Sequence, residues 1–203
     1  MTTSATALLI TSDDEDVSAV EEDLLAAGFE IRRCHEGGER FPCTGIAGGE
    51  CPLDVTGGVD VAVDVRQHPW PDPTALEVGV TCALRAGVPV VVVGRRGHPF
   101  EAWATASVDG VVGIGRRCVE AMDEALVPHH DAALAAVRAV FTNHGLADAP
   151  AGVVVSRRRG RLHVTITADA PPLVRGLAVT RAASAVRHLD PAATAIEIDF
   201  AQR

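Results

Sequence analysis

The sequence predicts an α/β protein in two parts, a doubly wound parallel sheet of five strands followed by a small α-β-β-α-β module. Three observations predict it. Runs such as Ala7-Leu8-Leu9-Ile10 and Val90-Val91-Val92-Val93 are continuously apolar, which marks strands buried on both faces. Between them stand stretches of helical spacing, so strand and helix alternate as a parallel sheet with crossover helices requires. Glycines close those stretches, at Gly28 and Gly87, where a left-handed residue ends a helix at least cost.

The first strand is residues 7–10. Thr11-Ser12-Asp13-Asp14 supplies caps and acids for a helix N-terminus, and Val17, Val20, Leu24, Leu25 and Phe29 continue at roughly helical spacing. Phe29-Glu30-Ile31-Arg32-Arg33-Cys34 alternates like an edge strand. Residues 59–65, with valine at every second position, make the third strand. A helix is expected over 73–87, a fourth strand over 88–93, a short helix over 100–106 and a fifth strand over 110–114. A boundary falls near Pro128, which suits the first position of a new or kinked helix. Beyond a linker over 146–150, strands over 153–155 and 162–167 flank an arginine-rich turn. A helix over 172–189 and a strand over 195–200 complete the module. The domains are thus residues 1–127, with a cysteine-rich loop over 34–58, and residues 128–203. A three-stranded sheet with helices on one face is a common association unit, so a homo-oligomer formed through this module is expected.

At 203 residues, 47% hydrophobic and 22% charged, the chain has the composition of a globular protein with a sizeable core. No apolar run is long enough to span a bilayer, and the start lacks a basic secretory n-region, so a cytoplasmic location without membrane attachment is expected. The net charge of −9 is unevenly spread: residues 1–127 carry −12 and residues 128–203 carry +3. An acidic body argues against nucleic acid as a partner, because affinity for phosphates comes from cations. The turn Ser156-Arg157-Arg158-Arg159-Gly160-Arg161 has no interleaved aromatics and suits a solvated turn or an acidic partner, such as the first domain of another copy. Every basic residue other than histidine is arginine, which excludes lysine nucleophiles and Schiff bases.

Three of the five cysteines, Cys34, Cys43 and Cys51, fall within eighteen residues. The glycine-rich segment around them lacks the periodicity of a helix or strand, and a long loop without its own packing is costly to order unless something holds it. An odd number of cysteines in a cytoplasmic chain favours reduced thiols over a disulfide framework. The spacings are C-x8-C and C-x7-C, without the close pairs of zinc knuckles. Widely spaced cysteines in a glycine-rich loop suit an iron–sulfur cluster, with zinc as the alternative. Fourth-ligand candidates are His35 and His68, of which His68 is better placed because adjacent residues on a strand point to opposite faces. Cys82, inside a helix, and Cys118 read as packed thiols.

Residues 7–115 resemble the receiver domains of two-component response regulators. The likeness rests on Ala7-Leu8-Leu9-Ile10 with the acidic turn and Leu24-Leu25-Ala26-Ala27-Gly28-Phe29-Glu30-Ile31 that follow. It rests also on Val59-Asp60-Val61-Ala62-Val63-Asp64-Val65-Arg66 and on Ala86-Gly87-Val88-Pro89-Val90-Val91-Val92-Val93. The resemblance implies a flavodoxin- or receiver-like strand order 2-1-3-4-5 with Asp64 in the phosphoacceptor position. The chain departs from the pattern at Thr11-Ser12, where paired metal-binding acids are expected, at Gly94 in place of a hydroxyl residue and at Ile114 in place of a lysine. Phosphoryl transfer needs the metal and the cation, so a degenerate pseudo-receiver is expected. In that frame the cysteine loop rises from the carboxyl edge of the sheet, where open α/β sheets bind ligands, with Asp13, Asp64, His68 and Gly94 on the same rim.

The function that follows is a non-enzymatic redox- or metal-responsive regulator in which Cys34, Cys43 and Cys51 hold an iron–sulfur cluster or zinc. Two alternatives stand beside it. One is a pseudo-receiver scaffold that binds a protein partner without metal, and the other is an enzyme that uses the same rim.

Overall fold

Each strand of the first sheet is reached by a crossover rather than a hairpin, which makes its neighbours parallel. In the computed structural model, β1 (Thr6–Thr11), β2 (Glu30–Arg33), β3 (Val61–Arg66), β4 (Val90–Gly94) and β5 (Ala106–Val108) lie in the order β2-β1-β3-β4-β5. The structure describes residues 4–12, 16–35, 43, 45, 48, 50–54, 58–68, 72–94, 97–158, 161–191, 193 and 195–201. Ile10 pairs with Asp64, Asp64 with Val92, and Arg66 with Gly94, so the carboxyl ends of the central strands form one rim.

Alternation sends successive side chains to opposite faces. Leu9, Val63 and Val91 pack with Val20 and Leu24 of α1 (Ser18–Ala26) and with Ile114, Cys118 and Ala121 of α3 (Ile114–Asn143). Leu8, Ile10, Ala62 and Val92 pack with Val80 and Ala83 of α2 (Val78–Arg85), and Cys34 and Cys43 belong to this second cluster. Full burial of each such Leu, Ile or Val stabilises the unit by about 1.5–3 kcal/mol.

Three expected elements are rearranged. The stretch 110–114 is not a strand: Gly110 and Gly113 take φ of 102° and 80°, left-handed values at which an extended strand stops, and Ile114 already opens α3. The fifth strand is Ala106–Val108, and the helix expected over 100–106 shrinks to a 3-10 turn at Glu101–Trp103. Pro128 starts no new helix but lies inside α3, where it lacks the N–H that would bond the Glu124 carbonyl.

The chain divides into two units between Ala125 and Leu126. In the second, β6 (Ala151–Arg158), β7 (Arg161–Ala168) and β8 (Ala195–Ala201) form a mixed sheet ordered β6-β7-β8, with β6–β7 antiparallel and β7–β8 parallel. Val174, Ala178, Ala182 and Val186 recur every fourth residue on α4 (Pro172–Leu189), which puts them on one stripe. That stripe packs with Val137 and Phe141 of α3 and Leu162, Val164 and Ile166 of β7. Among the described residues, no helix is long and apolar enough to cross a membrane.

Candidate functional site

Two groups of reactive side chains lie on the α2 side of the first sheet. The first grows from the end of β3. Ala62 faces α2, so Asp64 and Arg66 do too. Asp64 and Glu77 have no exposed surface and Arg66 has 3%. Charges so deeply buried are tolerated when they are paired and hydrogen-bonded, and Arg66 supplies both. Its Nε donates to Glu77 Oε1 at 2.9 Å while Nη2 donates to Glu77 Oε2 and, at 3.1 Å, to the Asp72 carbonyl. Thr74 N–H donates to Glu77 Oε2 at 2.6 Å, and the Thr74 hydroxyl donates to the Ser12 carbonyl at 3.0 Å. The 3-10 turn Ala75–Glu77 that leads into α2 is thereby tied to the ends of β1 and β3.

His98 completes this group, with Nε2 3.4 Å from Asp64 Oδ2. The Phe100 N–H donates to Nδ1 at 3.3 Å. A neutral imidazole carries one proton, so here it sits on Nε2, toward Asp64. Burial lowers the His98 pKa, with the Arg66 charge adding to the effect, and both keep the ring neutral. Asp64, Glu77 and His98 present ligand atoms within 4.8 Å of one another, the set of this kind found among the described residues. Glu77 is committed to Arg66 and Thr74, whereas His98 Nε2 has no hydrogen-bond partner among the described residues. Gly94 belongs to this group by necessity. At φ 144° a Cβ there would stand 2.0 Å from the Arg66 carbonyl oxygen, so the hydroxyl residue of the receiver pattern has no room.

The second group is made of thiols. Cys34, directly after β2, and Cys43 are buried; Cys51 and Cys82 are half-buried, and none of the five cysteines forms a disulfide. Cys34 lies against α2: a Cβ on Gly79 would stand 3.0 Å from Cys34 Sγ and 3.3 Å from its Cβ, so glycine is what lets the helix approach. A Cβ on Gly45 would likewise stand 3.0 Å from Cys51 Cβ and 3.6 Å from its Sγ. Burial pushes the Cys34 thiol up to about 12, and Cys43, Cys51 and Cys82 add to the shift because thiolates so near would repel. Burial also raises Cys82, with Cys51 and Cys43 contributing next. Thiols from the end of β2, the loop and α2 are therefore near enough to influence one another without forming a cluster. Among the described residues, no three of their sulfurs close to mutual distances of 4.8 Å.

Of the histidines expected beside them, His35 is half-buried and neither of its buried ring nitrogens has a hydrogen-bond partner among the described residues. His68 is exposed just beyond β3. Cys118 is fully buried on the opposite face of the sheet, its thiol pushed up to about 12 by burial and then by Asp23. Asp13, Asp14, Arg95, Arg96, Arg159 and Gly160 lie outside the described residues.

The sequence reading passed over Glu77 and took Cys82 as a packed thiol. Thr74-Ala75-Leu76-Glu77 matches the T-x-x-E pattern of a helix start, a signal that would have located Glu77. Cys82, three residues after Gly79, carried only the weaker hint of a glycine on a buried helix face. Comparison with protein-family models and with curated proteins finds no match to this chain.

Proposed function

We propose that this chain is a cytoplasmic redox- or metal-responsive regulator built on a receiver-like, flavodoxin-type domain, with a thiolate-held metal centre at the carboxyl edge of its sheet. The observation that supports the reading is the burial of Cys34 and Cys43, separated by loop in sequence, in one cluster with Val80 and Ala83 of α2, with Cys34 against Gly79. Buried thiols in an apolar setting are inert on their own, and gathering several of them makes chemical sense when a soft cation replaces their protons. The buried His35 nitrogens support the same reading, because a buried imidazole without a partner is costly. The centre is an iron–sulfur cluster, with zinc as the alternative occupant. Loss or oxidation of the cluster would release the loop, an order-to-disorder switch, and the second unit would serve self-association.

The test is an absorption spectrum with iron, sulfide and zinc analysis of protein purified without oxygen. A broad band near about 400 nm with stoichiometric iron and sulfide supports the cluster, and stoichiometric zinc in colourless protein turns the centre into a structural clasp. Absence of both metals, or metal content unchanged in Cys43→Ser, overturns the reading. A second reading, a pseudo-receiver that only binds a protein partner, is favoured by the complete burial of Asp64, which denies a phosphoryl donor access. It requires partner binding to survive replacement of all the loop cysteines.

A further inference from the structure

We propose that Cys82 of α2 is the fourth thiolate of the Cys34, Cys43 and Cys51 centre, so that the bound metal staples the loop between β2 and β3 to α2. This rests on the metal-centre reading above and adds the ligand that completes it. Three cysteines leave a tetrahedral thiophilic ion or a cluster one ligand short of a closed site. Cys34 Sγ lies against Gly79, and a residue three positions on in a helix stands on the same side at about 5–6 Å between Cβ atoms. Cys82 is that residue. It is half-buried within a helix whose Gly79, Val80 and Ala83 are buried, which places it at the margin of the face that meets Cys34 and Cys43.

On ligation four thiols give up four protons to solvent and form four metal–sulfur bonds, with no redox step. Tetrahedral zinc or cobalt with metal–sulfur bonds of about 2.3 Å brings sulfurs to roughly 3.8 Å, so ligation would draw these sulfurs together, since among the described residues no three of them lie within 4.8 Å of one another. The sequence distance between Cys51 and Cys82 explains why spacing alone does not reveal the site: the fourth ligand arrives by way of β3 and the turn held by Glu77.

Cobalt(II) titration of the full chain under reducing, oxygen-free conditions tests this, read by thiolate-to-cobalt charge transfer and by tetrahedral d–d bands. Wild type is expected to take up one cobalt with the signature of four thiolates. Cys82→Ser and Cys82→Ala are each expected to lose about a quarter of the charge-transfer intensity per bound cobalt. Their affinity should fall by more than the ~10–100-fold that removing an outer-shell partner costs. Both apo variants should melt as wild-type apo protein does, since Ala and Ser are tolerated at a half-buried helix position. If wild type binds cobalt but both Cys82 variants keep its intensity and affinity, Cys82 is no ligand and the inference falls while the metal reading stands. If His35→Gln, rather than Cys82→Ala, changes the spectrum by one ligand, the fourth position belongs to the histidine and the inference falls as well. Failure of wild type to bind cobalt, zinc or iron overturns the metal reading and this inference together.

Discussion

The acid–histidine group and the thiols sit on the same side of the same sheet, yet the first is built round a hydrogen-bonded ion pair and the second round buried thiols. Around β3, Glu77 has Arg66 and Thr74, and His98 turns its remaining proton toward Asp64. Burial, with the neighbouring thiols, raises the pKa of Cys34 and of Cys82, and the His35 ring next to Cys34 has no hydrogen-bond partner among the described residues. The Arg66–Glu77 pair offsets the burial cost of those two charges. Asp64, Glu77 and His98 present ligand atoms close enough for one cation, with Glu77 already engaged by Arg66 and Thr74.

The sharpest way to break the comparison is to open the ion pair. Arg66→Met strands the Glu77 carboxylate without exposure to water, and removing one partner of a buried ion pair destabilises by about 3–5 kcal/mol. Urea denaturation of the full chain should show that loss in the transition of the first unit. A loss under about 1 kcal/mol would mean that Glu77 simply protonates and that the pair is not the anchor described above. Next in size is Gly94→Ser, which restores the receiver hydroxyl. The new Cβ lands on the Arg66 carbonyl at a φ that side chains avoid, so a loss of about 1–3 kcal/mol is expected, with no gain of phosphorylation by a small phosphoryl donor. Acquired phosphorylation of Asp64 would show that the buried position of Asp64 does not deny a phosphoryl donor access.

How far the sequence displayed these groups depended on whether they were local. The valine runs of β3 and β4 and the alternation of helix and strand placed the sheet, because continuous apolar strands leave few other architectures. Gly110 and Gly113 were harder: in an apolar stretch they read as part of a strand, and only their left-handed conformations reveal a turn. Cys34, Cys43 and Cys51 stood out through crowding in one loop. Cys82 and His98 did not, since their neighbours are brought by chain crossovers that no spacing records. Glu77 was visible in principle as the end of a T-x-x-E pattern, but its partner Arg66 is fixed by the end of a different strand.

Gly79→Ala sharpens the boundary between the two groups with a smaller change. Alanine in a helix interior is favoured over glycine by about 0.5–1 kcal/mol, while the added methyl would meet Cys34 Sγ at 3.0 Å and Ile10 Cδ1 at 3.1 Å. These contacts are with side chains that can give by a few tenths of an ångström, so stability without metal should change by less than about 1 kcal/mol. Cobalt affinity should fall, because Cys34 is displaced from α2. Unchanged affinity would mean that the close approach of helix and cysteine serves packing alone.

The smallest expected effect is a pH dependence confined to the acid–histidine group. Asp64, Arg66, Glu77 and Glu101 surround His98, and burial, aided by Arg66, lowers its pKa below the ordinary value near 6.5. The unfolded chain therefore binds this proton before the folded one does. Stability is complete above the ordinary value and is lost as pH falls below it, levelling off once the folded ring also protonates. His98→Gln keeps a side-chain N–H able to face Asp64 but does not titrate. Denaturation midpoints of the two proteins, followed from about pH 7.5 down to about pH 5, should diverge as wild type loses the His98 contribution. Parallel curves would place the proton of His98 outside the balance that holds this side of the sheet.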